Sequence, residues 1–289
     1  MPSLLGIDLG GTKIAAARYD ATTWKMQDSV VEDTCAGESF SKVLQRIVAR
    51  AKSLIVKDTA SVGIGVPGFV ERPTGIIRTL PNISGAENVR LKSHMEEVLK
   101  LPVTVDNDVT CFTLAEALRG AGNGLSIVVG ITMGTGVGGG IVIDGVPYHG
   151  SHGFAAEFGH MLLRPNDLPY PTEDRRGDVE QFLSGSAFAK RCTAAKRPEE
   201  YLQGEVCAFL QPQVFEETAQ LCASLIHCLD PDIIVFGGSV GRALKPHLKE
   251  VEKQLTHWVY HGTPLPVLAV ARLKDAGTLG AAMIAEEAA

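Results

Sequence analysis

The chain of 289 residues is long enough for one large domain or two medium-sized ones, and its 45% hydrophobic and 21% charged residues are typical of a folded protein rather than a disordered one. Its 27 basic and 33 acidic residues give a net charge of −6, which disfavours a nucleic-acid-binding protein because such proteins usually present a basic face. No apolar run is long enough to predict a membrane span, Met1–Lys13 lacks the pattern of a signal peptide, and the six scattered cysteines predict reduced, largely buried thiols in a cytoplasmic protein.

Apolar runs and turn signals alternate along the first part of the chain. Leu4–Asp8 and Ile14–Tyr19 are apolar runs on either side of Gly10-Gly11-Thr12-Lys13, which predicts a β-hairpin. The other elements predicted in this part are strands at Asp28–Val31, Ser61–Val66 and Val103–Val105 and helices at Phe40–Ser53, Leu91–Leu99 and Val109–Ala121.

The opening pattern recurs in the second part of the chain. The apolar run Leu125–Met133 leads into the glycine-rich turn Gly134–Gly140, and Ile141–Ile143 predicts the return strand of a hairpin. Leu163–Gly177 is rich in Pro, Asp and Arg and predicts an exposed loop. The elements predicted after it are helices at Val179–Ala195, Gly204–Leu229, Ala243–His257 and Ala276–Glu287 and strands at Asp232–Phe236 and Val267–Ala271. The alternation predicts an α/β fold, and the recurrence indicates a duplication at the scale of a domain.

The glycine turns are candidate phosphate sites of a particular kind. Gly134, Gly136 and Gly139 fit the dinucleotide-binding pattern, but a strand rather than a helix follows them, which excludes that interpretation. The segment from Gly6 to Lys13 does not match a Walker A loop, because Thr12 stands between the last glycine and Lys13 and because a strand rather than a helix follows. What remains is a pair of hairpin turns whose backbone N–H groups can bind phosphate, with Phe236-Gly237-Gly238-Ser239 as a third nucleotide-facing element. One such turn is most often an ordinary hairpin, whereas three together favour a nucleotide site.

Three motifs resemble those of the ROK family of sugar kinases and repressors: Asp8–Lys13, Gly134–Gly140 and Glu157-Phe158-Gly159-His160. The resemblance spans nearly the whole chain. It implies the two-domain actin-like, hexokinase-type ATPase fold, with duplicated ribonuclease H-like domains and an interdomain cleft. We therefore expect a small N-terminal α/β domain at residues 1–120 together with 276–289, and a large C-terminal domain at residues 121–275.

The resemblance also implies roles for individual residues. Asp108 is the expected general base, although its position before a helix would by itself favour an N-cap. Asp8 is expected to hold Mg²⁺, through water. The expected sugar ligands are Gly68, Asn82, Asn107, Asp108, Glu157, His160 and Glu180. The expected ATP-side residues are Asp8, Gly10, Gly11, Thr12, Lys13, Thr132, Gly134, Thr135, Gly136 and Gly238.

One departure from the family pattern concerns zinc. Most members hold a structural zinc with the motif histidine and three cysteines in a CxCGxxGCxE run. Here no cysteine lies between Cys111 and Cys192, and Arg175-Arg176-Gly177-Asp178-Val179-Glu180 occupies the corresponding stretch. We expect ATP and Mg²⁺ as cofactors and no zinc site. The loop must then be ordered by packing or by ion pairs of Arg175 and Arg176.

The resemblance implies ATP-dependent phosphorylation of the 6-hydroxyl of a hexose or N-acetylhexosamine. Val105–Glu116 and Ala156–Met161 look most like bacterial N-acetylglucosamine kinases, with glucokinase, fructokinase and N-acetylmannosamine kinase as alternatives. A repressor is disfavoured by the short segment before the first strand and by the negative charge, and a non-catalytic sugar-sensing protein is a remote alternative. The expected partners are the sugar and ATP, without nucleic acid or membrane, and we expect a cytoplasmic homodimer.

Overall fold

The computed structural model describes residues 2–72, 74–80, 83 and 85–286 of a mixed α/β protein. The predicted sugar ligand Asn82 lies outside the described residues. The strands are β1 (Ser3–Leu9), β2 (Lys13–Asp20), β3 (Met26–Asp33), β4 (Thr59–Val66), β5 (Phe69–Glu71), β6 (Ile76–Thr79), β7 (Val89–Arg90), β8 (Val103–Asn107), β9 (Ile127–Met133), β10 (Val137–Ile143), β11 (Val146–Pro147), β12 (Ile233–Gly237) and β13 (Val267–Val270). The α-helices are α1 (Phe40–Leu54), α2 (Leu91–Leu99), α3 (Asp108–Arg119), α4 (Glu180–Leu183), α5 (Gly185–Arg191), α6 (Gln211–Leu229), α7 (Gly238–Ala243), α8 (Leu248–Leu255) and α9 (Ala276–Ala285).

The chain divides into two compact units. Unit 1 comprises Met1–Ala115, Pro147–Ala155 and Leu273–Ala289, and unit 2 comprises Glu116–Val146 and Ala156–Arg272. The domain boundaries expected from the sequence, 120/121 and 275/276, stay a prediction.

Each unit is built on a five-stranded sheet with the same plan. The order is β3-β2-β1-β4-β8 in unit 1 and β11-β10-β9-β12-β13 in the other sheet. In unit 1 the antiparallel hairpin β1–β2 is extended by the parallel strands β4 and β8. In the other sheet the antiparallel hairpin β9–β10 is extended by the parallel strands β12 and β13. The predicted hairpins and their recurrence are therefore confirmed, and a small antiparallel sheet, β5-β6-β7, adds to unit 1.

Successive residues of a strand point to opposite faces of its sheet. The sheet of unit 1 packs against a helix on each of these faces. Leu5, Ile7 and Leu9 pack with α1 residues in one apolar core. Gly6 on the other face lies against α9, where a Cβ would stand 1.9 Å from the carbonyl oxygen of Thr278. By the same alternation, Asp8 points toward the α9 side. In unit 2 the core gathers around α6 and α8 against β9 and β12.

Several expectations drawn from the sequence are wrong. The helix predicted at Val179–Ala195 is divided at Ser184 into α4 and α5, and the helix predicted at Ala243–His257 begins only at Leu248, after a 3-10 turn at Lys245–His247. The helix predicted at Gly204–Leu229 begins only at Gln211, since Pro212 stands in its first turn, where a missing N–H costs nothing. The cysteines are not all reduced, because the fold brings the Cα atoms of Cys192 and Cys207 to 6.1 Å and the two form a disulfide. Of the four free cysteines, Cys111 and Cys222 are buried, whereas Cys35 and Cys228 are exposed. No helix in the described part of the chain is both long and apolar enough to cross a membrane.

The close approach of β4 to α9 yields a stability test. A Cβ at position 63 would lie 1.7 Å from the carbonyl oxygen of Ala281, a backbone atom that cannot rotate away. We expect Gly63→Ala to lower the free energy of unfolding by about 3 kcal/mol or more in urea titrations. Gly37→Ala is the control, since nothing lies within 4 Å of a Cβ there, and it should change stability by less than about 1 kcal/mol. Equal effects of the two substitutions would contradict this packing.

Candidate active site

Asn107 caps α3, and Asp108 is the first residue of the helix. The Asn107 Oδ1 accepts hydrogen bonds from the N–H groups of Val109 and Thr110 at 2.8 and 3.1 Å, while its Nδ2 donates to the Gly68 carbonyl at 3.2 Å. The capping role that position alone favoured for Asp108 therefore falls mainly to Asn107, although Asp108 Oδ1 also accepts from Val109 N at 2.9 Å. These bonds bring three predicted sugar ligands, Gly68, Asn107 and Asp108, to one edge of the unit 1 sheet.

Asp106, which the sequence analysis did not select, is a buried anchor behind this edge. Its side chain is 3% exposed, and its Oδ2 lies 2.5 Å from Arg72 Nη1 and 2.7 Å from His149 Nε2. Its Oδ1 accepts from Asn107 N at 2.8 Å. A buried carboxylate needs such partners, because an unpaired charge away from water is costly. Arg72 and His149 therefore fix the end of β8 from two distant segments of the chain.

Asp8 lies at the end of β1, and its partner across the sheet is Gly65 of β4, which in turn pairs with Asp106 of β8. Burial raises the pKa of Asp8 to about 6. Burial also raises the pKa of the Cys111 thiol, and the negative charges of Asp106, Asp8 and Asp108 raise it further. All three carboxylates are therefore close enough to the Cys111 thiol to affect its ionisation.

Asp8 fits the predicted Mg²⁺ role. Carboxylate oxygen is a ligand that Mg²⁺ prefers, and this ion commonly takes one or two carboxylates while keeping waters and substrate phosphates as its other ligands. Gly277 leaves room for the carboxylate, since a Cβ there would lie 2.2 Å from Asp8 Oδ2. No group of three or more His, Cys, Asp or Glu side chains suited to a metal occurs among the residues that the structure describes.

The first glycine turn is held from behind by Thr34. The Thr34 Oγ1 donates to the Gly10 carbonyl at 2.7 Å, and Thr34 N donates to the Thr12 carbonyl at 2.8 Å. In a trans peptide the C=O and the following N–H point in opposite directions. The N–H of Gly11 therefore points away from Thr34. The Lys13 side chain is exposed.

The second glycine turn is held in the same way by α5. The carbonyl of Gly134 accepts from Gly185 N at 2.7 Å, and the carbonyl of Thr135 accepts from Ser186 Oγ at 2.8 Å. The two following N–H groups, of Thr135 and Gly136, therefore both point away from α5. Successive N–H groups with one direction are the arrangement that binds anions. Thr132 lies in β9 opposite Gly138 of β10 and Gly237 of β12, and Gly238 begins α7 immediately after that strand.

Glu180, a predicted sugar ligand, forms a hydrogen bond at the end of the second glycine turn. Its Oε2 accepts from Val137 N at 2.9 Å, and a Cβ on Gly136 would lie only 2.4 Å from the same oxygen. Gly136 therefore serves a purpose that the sequence analysis did not identify, which is to make space for this carboxylate.

Glu157 and His160 lie on a short 3-10 segment that packs on β10, where a Cβ on Gly139 would meet the Ala156 carbonyl at 2.2 Å. Burial raises the pKa of Glu157, the electrostatic interaction with His160 opposes the rise, and the negative charge of Glu180 adds to it. Three predicted sugar ligands, Glu157, His160 and Glu180, are therefore neighbours in unit 2. A fourth residue, Asp178, contacts His160 and was not selected from the sequence.

The loop 163–177 is ordered partly as expected. Arg175 Nη2 donates to the Asn166 carbonyl at 2.8 Å, and Arg176 pairs with Asp174 at 2.8 Å. The sequence analysis missed Arg164, which reaches the buried carboxylate of Glu217 at 2.9 Å. Backbone bonds complete the loop, since the Gly177 carbonyl accepts from the N–H groups of residues 163 and 164.

A sequence model of the ROK family matches residues 4–288. The chain belongs to the ROK family. It is 30% identical to a glucokinase of Thermotoga maritima, over 98% of this chain and 97% of that protein. It is 31% identical to an N-acetyl-D-glucosamine kinase of Salmonella heidelberg, over 96% of this chain and 98% of that protein. A ROK family glucokinase from Streptomyces griseus, solved with glucose and AMPPNP, matches with a TM-score of 0.79 and 30% identity over 99% of both chains.

These similarities confirm the family resemblance and the predicted actin-like ATPase fold. The roles expected for the individual site residues of this ROK protein stay predictions, although the structure groups most of them. Gly68, Asn107 and Asp108 meet in unit 1, as do Glu157, His160 and Glu180 in unit 2. Asp106, Arg72 and His149 could not be found by motif, because they come from three separate stretches of sequence.

The raised pKa of Asp8 gives a pH-dependent test. The Asp8 carboxyl group ionises near pH 6 when folded but near 3.8 when unfolded, so its charge opposes folding above pH 6 and this penalty shrinks as the pH falls toward 4. Asp8→Asn removes the charge. We expect this variant to melt at a higher temperature than the unchanged protein at pH 8, by an amount that is smaller at pH 5, and to lose phosphoryl transfer.

Asp20→Asn is the matched control for the Asp8 test. Hydrogen bonds from the backbone and side chain of Thr23 lower the pKa of Asp20, so its charge favours folding at neutral pH. The Asp20 variant should therefore melt at a lower temperature at pH 8 and by nearly the same amount at pH 5, because a carboxyl group with a lowered pKa stays ionised over this range. If Asp8→Asn also melts lower at pH 8 than at pH 5, relative to the unchanged protein, the burial argument fails.

Proposed function

We propose that this chain transfers the γ-phosphoryl group of ATP to the 6-hydroxyl of an N-acetylhexosamine or hexose, with N-acetyl-D-glucosamine as its preferred substrate. The chain is an ATP-dependent sugar phosphotransferase, as its family and its relatives named glucokinase and N-acetyl-D-glucosamine kinase indicate.

The hydrogen bond between Glu180 and Val137 is the observation that best supports the proposal. Phosphoryl transfer requires the acceptor hydroxyl and the phosphates to be held within bonding distance. Glu180 is a proposed sugar ligand, and it bonds directly to the turn whose Thr135 and Gly136 N–H groups are the proposed phosphate donors. A carboxylate would repel phosphate, so we assign it to the sugar side of the turn.

In the proposed mechanism Asp108 is the general base. A sugar hydroxyl is a weak nucleophile, and a carboxylate can accept its proton as the bond to phosphorus forms. Asp108 is held for this role by the α3 cap and by the anchor at Asp106. The N–H groups of the two glycine turns would stabilise charge on the phosphoryl oxygens. Mg²⁺, held through Asp8, would supply further charge neutralisation.

The preference for N-acetyl-D-glucosamine rests on the likeness of Val105–Glu116 and Ala156–Met161 to the kinases of that sugar. Overall identity does not separate the alternatives, since the glucokinase and N-acetylglucosamine kinase relatives are both about 30% identical. Glucokinase is the second candidate, followed by fructokinase and N-acetylmannosamine kinase. A homodimer in the cytoplasm is part of the proposal.

The decisive experiment is ADP release with Mg-ATP across a panel of N-acetylglucosamine, N-acetylmannosamine, glucose, fructose, mannose and allose. We expect the highest kcat/KM with N-acetylglucosamine and a loss of at least about 100-fold in kcat for Asp108→Asn, because general-base assistance contributes roughly 10²–10⁴-fold. Because we expect no zinc site, a sample stripped with EDTA and restored with Mg²⁺ alone should keep its activity. Saturable sugar binding without turnover of any sugar would favour the non-catalytic sensor.

Gly136→Ala tests the link between Glu180 and the second glycine turn. The added Cβ would displace the Glu180 carboxylate, which is the flexible end of a side chain, so the fold should tolerate the change. We expect the KM for sugar to rise about tenfold or more and the KM for Mg-ATP to rise as well, with the melting temperature nearly unchanged. Glu180→Gln is the comparison, and it should raise the KM for sugar with a smaller effect on Mg-ATP. A normal KM for sugar in Gly136→Ala would contradict the link.

A further inference from the structure

His160 faces a buried carboxylate with one side of its ring. Its Nδ1 lies 3.5 Å from Oδ2 of Asp178. The Asp178 side chain is 2% exposed, whereas the His160 side chain is 47% exposed. The imidazole thus has one nitrogen directed into the protein and a large part of its ring open to a ligand.

Asp178 is itself held in place by the backbone around it. Its Oδ1 accepts from Gln181 N at 3.2 Å, and Asp178 forms an antiparallel bridge with Leu162. Arg176 Nη1 lies 3.5 Å from Oδ2, the oxygen that faces His160. An ionised carboxylate can only accept hydrogen bonds.

We propose that Asp178 is a positioning residue that fixes the tautomer of His160. An acceptor at Asp178 keeps the ring proton on Nδ1, which leaves Nε2 as the acceptor for a substrate hydroxyl. The inference rests on the proposed function, in which His160 is a sugar ligand. Asp178 stands two residues before Glu180, at the position where the family pattern has the last zinc cysteine. In this chain a carboxylate therefore orients the motif histidine.

An Nε2 acceptor on His160 also affects which substrate groups this side of the site binds. Glu157 and Glu180 accept hydrogen bonds when ionised, and an Nε2 acceptor adds a third group of the same kind. The unit 2 side of the site would then select substrate groups that donate. A sugar whose hydroxyl at this position is replaced by hydrogen or by a methyl ether would lose its donor and leave Nε2 unpaired.

Asp178→Asn reverses the expected tautomer for a geometric reason. The Gln181 N–H donates to Oδ1 at 3.2 Å and to the Asp178 backbone carbonyl at 3.0 Å, which favours an oxygen at the Oδ1 position. Arg176, 3.5 Å from Oδ2, keeps its closer partner Asp174 at 2.8 Å. We therefore expect the new NH₂ group to take the Oδ2 position that faces His160. Nδ1 must then accept, and the proton moves to Nε2. Long-range ¹⁵N–¹H NMR of the full chain labelled in histidine would read the tautomer directly, with His160→Gln used to assign the signal.

The expected result is an Nδ1–H tautomer in the unchanged protein and an Nε2–H tautomer in Asp178→Asn. In kinetics, the variant should raise the KM for sugar about tenfold or more, with kcat and the KM for Mg-ATP within about twofold. In a His160→Gln background, Asp178→Asn should add nothing to the KM for sugar. A purely structural role of Asp178 would instead lower stability and change all of these constants together.

Asp174→Asn is the control. It removes the other carboxylate partner of Arg176, at 2.8 Å, without touching His160, so the tautomer and the KM for sugar should stay unchanged. An Nε2–H tautomer in the unchanged protein would overturn the proposal even if Asp178→Asn fails to fold. The same tautomer in both proteins would overturn it as well. The NMR result does not depend on turnover, so a tautomer switch in a chain that phosphorylates no tested sugar would leave the positioning intact and refute the proposed function.

Discussion

The carbonyl oxygens of the glycine turns are bound from behind, and the geometry of both turns depends on this. Thr34 binds the first turn, and Gly185 and Ser186 bind the second. Because a planar trans peptide directs its N–H opposite to its C=O, fixing the carbonyls also fixes the donors that follow them. The phosphate-binding role proposed for these turns therefore needs no helix after the last glycine. This explains how strand–turn–strand hairpins can serve where the better-known glycine motifs use a helix N-terminus.

Buried carboxylates in the described part of the chain differ in their surroundings. Asp106 is paired with Arg72 and His149, and Asp178 faces Arg176 and His160. Such pairing holds segments together, because leaving either partner uncompensated is costly. At Asp8, by contrast, burial raises the pKa to about 6. A carboxylate whose charge is disfavoured by its surroundings gains more from a bound cation, which agrees with the proposed role of Asp8 at Mg²⁺.

The sequence predicted the local features of the fold well. Hairpins, the α3 helix after Asp108 and the glycine turns are encoded within a few residues, so their patterns could be interpreted directly. The motifs also located most of the proposed ligands. Contacts between distant segments left no such signal, and the triad of Arg72, Asp106 and His149 is the clearest case.

The disulfide was missed for the same reason, and the start of α6 was placed seven residues too early because apolar spacing continues through a segment that instead forms a short 3-10 turn. The roles of the glycines in Gly134–Gly140 were predicted only in part. Gly136 and Gly139 were assigned to phosphate or to the hairpin, yet their missing Cβ atoms make room for Glu180 and for the segment that carries Glu157 and His160.

The proposed ligands of unit 2 bear on which sugars this chain could distinguish. Glucose and N-acetyl-D-glucosamine differ at one carbon, where a hydroxyl is replaced by an acetamido group. Glu157, Glu180 and an Nε2 acceptor on His160 can each accept a hydrogen bond from a hydroxyl or from an amide N–H. Pairing alone then discriminates weakly at that position, and preference must come from space for the acetyl group. Apolar fit of this size is worth roughly 1–3 kcal/mol, or about 10–200-fold in kcat/KM. A preference of that order, rather than absolute selection, is therefore what this set of side chains can produce.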